Sequence, residues 1–217
     1  NLKEEFAKEY GGELPSDHPA NYVLMMCVSM SDPGMLVLPT HRLLGGLHGF
    51  EMTTLTHQIA DKCEVAEAPF GPEQMAGFVD DYLRRQPHTF GLFDGKTRKL
   101  FLVRLRDPAV LDTTEAGRSE AWRRLDVAIL HRWLIEQIIR PGFCESHEPK
   151  LGYTADPADI AAQVDGDRYQ IALLLQPTPV SALEELARHG ETMPQKSTYF
   201  YPKLATGLVM NPLEKAS

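Results

Sequence analysis

The sequence predicts an α+β fold: a mixed sheet with hairpins, packed against a long central helix and several shorter helices. Three observations lead there. Apolar residues recur at helical spacing from about Ser119 to Arg140, with Trp122, Leu125, Ile129 and Trp133 as one stripe and Leu130, Leu134 and Ile138 as a second. Short apolar runs of strand length flank turn signals, most clearly Thr89 to Phe93 and Lys99 to Leu105 around Asp94-Gly95. Hairpins and helices alternate irregularly, without the repeating order of a βαβ series.

The elements follow in order. Leu2, Phe6 and Tyr10 stand four residues apart, so the chain opens inside an amphipathic helix, which Gly11-Gly12 ends. No capping residue precedes it, which predicts a chain entered partway through a helix. Tyr22 to Met30 is continuously apolar and reads as a buried strand, with Cys27 in the core. Asp32-Pro33-Gly34 turns it into a second strand, Met35 to Leu38. Pro39-Thr40-His41-Arg42 then leaves that strand for a loop rich in glycine at positions 45, 46 and 49. A helix over Met52 to Lys62 carries Leu55, Ile59 and Cys63 on one face, and Cys63 to Ala66 reads as a strand. From Gly71-Pro72 to Gln86-Pro87 a helix turns Met75, Phe78, Val79 and Tyr82 inward. Pro141-Gly142 stops the central helix. Beyond it come a strand at Leu151 to Thr154, a helix from Pro157 to Val164, a strand from Tyr169 to Leu175 and a helix from Val180 to His189 closed by Gly190. Two strand-like runs, Lys196 to Tyr201 and Thr206 to Met210, end the series. This arranges a main α+β domain over residues 1–150 and a C-terminal α+β unit over 151–217 on the same core.

With 217 residues the chain buries a core without metal or disulfide. Its formal charge of −8 argues against a broad nucleic-acid or anionic-membrane surface. No run approaches the roughly 20 apolar residues that span a bilayer. The three cysteines, Cys27, Cys63 and Cys144, form no C-x-x-C pair and read as reduced thiols of a cytoplasmic protein.

Two segments carry candidate chemistry. Gln195-Lys196-Ser197-Thr198 follows Gly190 and suggests a phosphate loop, but glycine is needed where Gln195 stands and a helix, not a strand, precedes it, so a Walker A loop is excluded. A simpler anion site survives, because Thr192 to Pro212 holds two lysines and no acid. The competing reading is a strand between two prolines with Lys196 in solvent. His41-Arg42 is the second candidate, as proton shuttle and anion clamp; a pair bonded to loop carbonyls is its structural alternative. Asp126 and His131 are five residues apart and do not share a helix face, so Asp126 is assigned to a neighbouring arginine such as Arg123. His57 and Asp61 have the i, i+4 spacing of a ligand pair but no third ligand, so no metal site is assigned.

These segments together carry a resemblance: Asp17-His18-Pro19-Ala20-Asn21-Tyr22, Leu38-Pro39-Thr40-His41-Arg42-Leu43, Leu125-Asp126-Val127 with Leu130-His131, and above all Met193 to Leu204 followed by Thr206-Gly207-Leu208-Val209. The chain resembles the bacterial and archaeal family called domain of unknown function 1015. The resemblance implies a longer protein with an upstream Asp-Gly-His-His-Arg motif, absent here, similar to signatures of the ParB and sulfiredoxin superfamily. It further implies a nucleotide-dependent small-molecule enzyme, kinase-like, using ATP, ADP or another nucleotide with Mg. In that reading His41 and Arg42 are catalytic, Lys196, Ser197 and Thr198 bind phosphate, and Gln195, Tyr199 and Lys203 support them. The alternative is a non-catalytic regulatory or oligomerisation module that meets a partner, or a second copy of itself, through Tyr199, Phe200 and Tyr201.

Overall fold

In the computed structural model, which describes residues 2–203 and 205–213, eight strands form two antiparallel sheets. Six strands make the principal sheet, in the order β3 (Cys63–Glu67), β5 (Lys99–Leu105), β4 (Thr89–Asp94), β7 (Ile171–Leu174), β2 (His41–Gly45), β6 (Lys150–Thr154). A two-stranded ribbon pairs β1 (Leu36–Leu38) with β8 (Tyr199–Tyr201). The fold is α+β, as the alternation of hairpins and helices predicts.

The principal sheet is covered on both faces. One face, with Leu44, Phe90, Leu92 and Leu173, packs against the helix Met52–Ile59 and the long helical segment carrying Trp122, Ile129, Leu130, Trp133 and Leu134. The other, with Leu43, Phe93, Ala172 and Leu174, packs against the helical run 72–85 through Met75, Phe78, Val79 and Leu83. β4, β7 and β2 are therefore buried on both sides; β7 is a continuous apolar run, whereas β2 opens with the buried polar pair His41-Arg42. Tyr82 is not inward: it is 36% exposed, its ring stacked on Phe78, and Leu83 takes the core position.

The contacts divide the chain into two compact units, Leu36 to Tyr201 and the residues up to Met35 together with those from Pro202 onward. In the second unit the helix Leu2–Glu9 ends at Gly11 and Gly12, both with positive φ. Asn1, Leu204 and the Leu2 side chain lie outside the described residues. His18 is buried there, its ring 5.5 Å from that of Phe6 and 5.3 Å from that of Tyr10.

Several expectations change. Tyr22 to Met30 is not a strand, and Cys27 is exposed rather than core. An extended run needs a neighbouring strand to take its hydrogen bonds, and β1 pairs instead with β8, over 160 residues downstream, so no hairpin forms at Asp32-Pro33-Gly34. Thr206 to Met210 likewise forms no strand. The central helix is interrupted: Leu125 is extended (φ −65°, ψ 126°), and a new helix starts at Asp126. It runs through Pro141 and Gly142 to Phe143, so that pair does not stop it where the turn residues predict.

Candidate functional site

His41 and Arg42 do not sit in a loop. They open β2, all five of whose residues are buried, between β7 and β6. Of the glycines that suggest a loop, Gly45 lies in the strand, where a Cβ would stand 2.2 Å from the Arg168 carbonyl oxygen and close packing needs glycine, while Gly46 and Gly49 follow it outside the strand with positive φ.

Because its neighbours are antiparallel, β2 begins where β7 and β6 end and where β4 begins. One end of the sheet thus collects His41 and Arg42, Leu175 and Gln176 just after β7, His88 just before β4, and Thr154 of β6. His41 pairs with Thr154, and Arg42 with Tyr153 on one side and Leu173 on the other.

Arg42 is fully buried. Its Nη1 donates to the Thr40 carbonyl and its guanidinium lies 5.6 Å from the centre of the Tyr153 ring. Its Nε and Nη2 have no hydrogen-bond partner among the described residues. Burial lowers its pKa to about 10, so the group still carries its charge at neutral pH. Fully buried His41 accepts a hydrogen bond at Nδ1 from the backbone N–H of Leu175 (3.2 Å). Its Nε2 is also unpartnered. Desolvation first, and then the Arg42 charge, lower its pKa to about 4. The imidazole is therefore neutral, with its proton on Nε2: a donor, not a base.

Consecutive strand residues face opposite sides of a sheet. Leu43 and Leu44 belong to different core layers, so His41 shares the side of Leu43 and Arg42 that of Leu44. The strand therefore separates the two side chains instead of converging them.

The Lys196 segment reaches the same region through the ribbon. Tyr199 pairs with Leu38, three residues before His41. Lys196 is exposed on a left-handed backbone (φ 56°). Ser197 is buried, its hydroxyl donating to the Pro194 carbonyl, and Thr198 is half-buried. Gln195 is exposed and Tyr199 half-buried; Lys203 lies in the other unit. Ser197 is thus spent on its own turn. Upstream, the Glu191 carboxylate accepts from the backbone N–H (3.0 Å) and hydroxyl of Ser119, and Trp122 Nε1 donates to the Thr192 carbonyl (3.2 Å).

Sequence spacing does not find the third group. Asp126 pairs not with Arg123, which binds Asp112, but with His88: Oδ1 accepts from Nδ1 at 2.8 Å and from the backbone N–H at 3.2 Å. Oδ2 accepts from Gln176 Nε2 at 2.6 Å. His131 goes instead to Glu136, 3.1 Å away. The break at Leu125 carries Asp126 to this place, and His88 is one of four non-glycine residues with positive φ (53°) among those described. Both line a cleft of about 480 Å³ together with Arg84, Arg124, Gln176 and Glu185. Only an unusual backbone at the Pro87-His88 turn distinguishes this histidine, and composition does not reveal it.

An antiparallel six-stranded sheet with buried, unpartnered donors at one end defines an α+β protein with a candidate anion-binding site. The model of the family described as "Protein of unknown function (DUF1015)" matches residues 1–128, and the chain belongs to that family. No curated protein matches it. Solved structures resemble it at low identity: a free serine kinase in complex with AMP (14% identical, TM-score 0.44), a mutant of a free serine kinase with AMP (13%, 0.45) and a conserved hypothetical protein from Pyrococcus furiosus (14%, 0.43). Each match covers 80% of this chain, and 56%, 56% and 59% of the other chain respectively.

Proposed function

We propose that Arg42 holds a phosphoryl group, and that the whole protein is a nucleotide-dependent phosphotransferase acting on a small molecule. The observation that carries this reading is the buried guanidinium with two unpartnered donors. A charge taken out of water without a counter-ion is costly, and an anionic ligand removes that cost. Nε and Nη2 form one edge of the guanidinium fork, the edge that binds two oxygens of a phosphate side by side. His41 acts as a neutral donor through Nε2–H, not as the catalytic base. Lys196, exposed beside the ribbon, adds positive charge to the approach, with Thr198, Gln195 and Tyr199 around it. A nucleotide with Mg is the cofactor this reading requires; Lys203 and Ser197 have no assigned contact in it.

Calorimetry of the protein against ATP, ADP, CTP and inorganic phosphate tests it. Binding of at least one nucleotide that is lost in Arg42→Met supports the reading. Absence of binding to all four overturns it.

A second reading draws on the ribbon. Phe200 and Tyr201 are 40% and 52% exposed on a sheet of only two strands, a surface suited to a second copy of the chain. Sedimentation of Phe200→Ser and Tyr201→Ser distinguishes it: a change of solution mass with phosphate binding intact favours an assembly module.

A further inference from the structure

The His88–Asp126 pair has the arrangement of a proton-accepting dyad. Asp126 accepts from His88 Nδ1 and from its backbone N–H, while Gln176 holds the second carboxylate oxygen. The carboxylate at Nδ1 fixes the ring orientation and, for the neutral imidazole, the tautomer with its hydrogen on Nδ1 and its acceptor at Nε2. That nitrogen makes no hydrogen bond to any described residue, and the ring lines the cleft of about 480 Å³.

Two further features show a built position. His88 adopts φ 53°, a strained backbone for a side chain of this size, and its carbonyl is held there by the Leu105 N–H at 2.9 Å. The cleft is also mixed in character. Leu125, Pro177 and Ala182 give it apolar walls. Arg84 and Arg124 bring two guanidinium groups to it, of which Arg84 gives only Nη2 to Asp80 (2.9 Å), while Arg124 is tied to Asp112 through both Nη atoms. Its remaining charged groups are Asp126, engaged with His88 and Gln176, and Glu185.

We infer that this cleft binds a small hydroxyl-bearing carboxylate, whose hydroxyl donates to His88 Nε2 and whose carboxylate meets Arg84. The register sets the His88 backbone two strands and three residues from that of His41, about 14 Å at ordinary strand spacings, so the two histidines hold separate positions at this end of the sheet. The inference therefore stands whether or not Arg42 holds a phosphoryl group.

NMR titrations of the ¹⁵N-labelled chain with D-glycerate, glycerol and propionate test it. D-glycerate carries both groups, glycerol only hydroxyls, propionate only the carboxylate. The expected result is D-glycerate binding at least about fivefold tighter than either, the worth of one ordinary hydrogen bond, with shifts at Thr89 and Gln176. His88→Gln should reduce D-glycerate to the level of propionate, and Arg84→Gln, at an exposed position, to that of glycerol. If the unmodified chain binds D-glycerate no better than propionate, or if the preference survives His88→Gln, the inference is overturned. The ranking on the unmodified chain decides even if the histidine variant does not fold.

Discussion

The backbone N–H of Leu175 donates to His41 Nδ1 across 3.2 Å, joining the end of β7 to the start of β2 through a side chain. The next residue, Gln176, donates to Asp126, which in turn holds His88. Two consecutive residues after β7 thus fix two imidazoles, each in a single tautomer. Both histidines are set by the end of one strand.

His41 makes the fold acid-sensitive. In the unfolded chain its imidazole takes up a proton near pH 6.5, whereas in the folded chain it does so only near 4. Between those values the unfolded state holds more protons, so stability falls as pH falls through that window. The loss amounts to on the order of 3 kcal/mol by pH 4. Urea denaturation of the protein and of His41→Gln at pH 7 and pH 4.5 checks it: the variant should lose markedly less stability on acidification.

Asp126 stabilises the same end of the sheet. Asp126→Asn keeps the shape but cannot accept from both His88 donors and Gln176 as an anion does. A loss of about 1–2 kcal/mol is expected, the usual cost of weakening charge-assisted hydrogen bonds. The check is thermal denaturation, with the His88 ring nitrogens followed by ¹⁵N NMR. The mutant should show a mixture of tautomers where the parent shows one.

Glu191 clamps the start of the Lys196 segment to Ser119, and these hydrogen bonds lower its carboxyl pKa. Glu191→Ala should lower the melting temperature and speed hydrogen exchange at Thr192 and Met193, while leaving the amides of β4 and β5 protected. Hydrogen-exchange mass spectrometry reads both.

The cysteines give a chemical check on the fold. Cys63 is buried and its thiol pushed up to about 12, and Cys144 is buried with its pKa raised by desolvation, whereas Cys27 is exposed. A disulfide reagent should label Cys27 in the folded protein, and Cys63 and Cys144 only after denaturation. Rapid labelling of Cys63 would contradict the packing of β3.

Periodicity was enough for elements whose partners are close in the chain. The Asp94-Gly95 hairpin, the helix Met52–Ile59 and the strand Ile171–Leu174 can all be read from spacing and turn residues. It failed where a distant partner decides. The apolar run Tyr22 to Met30 has strand composition and no partner strand, while β1 pairs with β8 from the far end of the chain. The same limit applies to the site. His41-Arg42 is conspicuous as a motif, yet only the pairing of β2 shows that the two side chains face opposite sides. His88 and Asp126 are 38 residues apart, and nothing in either local pattern pairs them. The break at Leu125, which does so, is masked by an unbroken apolar stripe.

The central claim is that Arg42 is a buried cation awaiting an anion. Its most direct measurement is thermal denaturation of the protein and of Arg42→Met, each in chloride and in phosphate at equal ionic strength. In chloride, replacing an unpaired buried charge by an apolar side chain should leave stability unchanged or raise it by about 1–3 kcal/mol. In phosphate, the parent should gain about 2–3 kcal/mol when the anion is near a hundredfold over its Kd, and the variant should gain none. A parent that phosphate does not stabilise, together with a variant that loses several kcal/mol in chloride, would contradict the claim and make Arg42 a structural side chain.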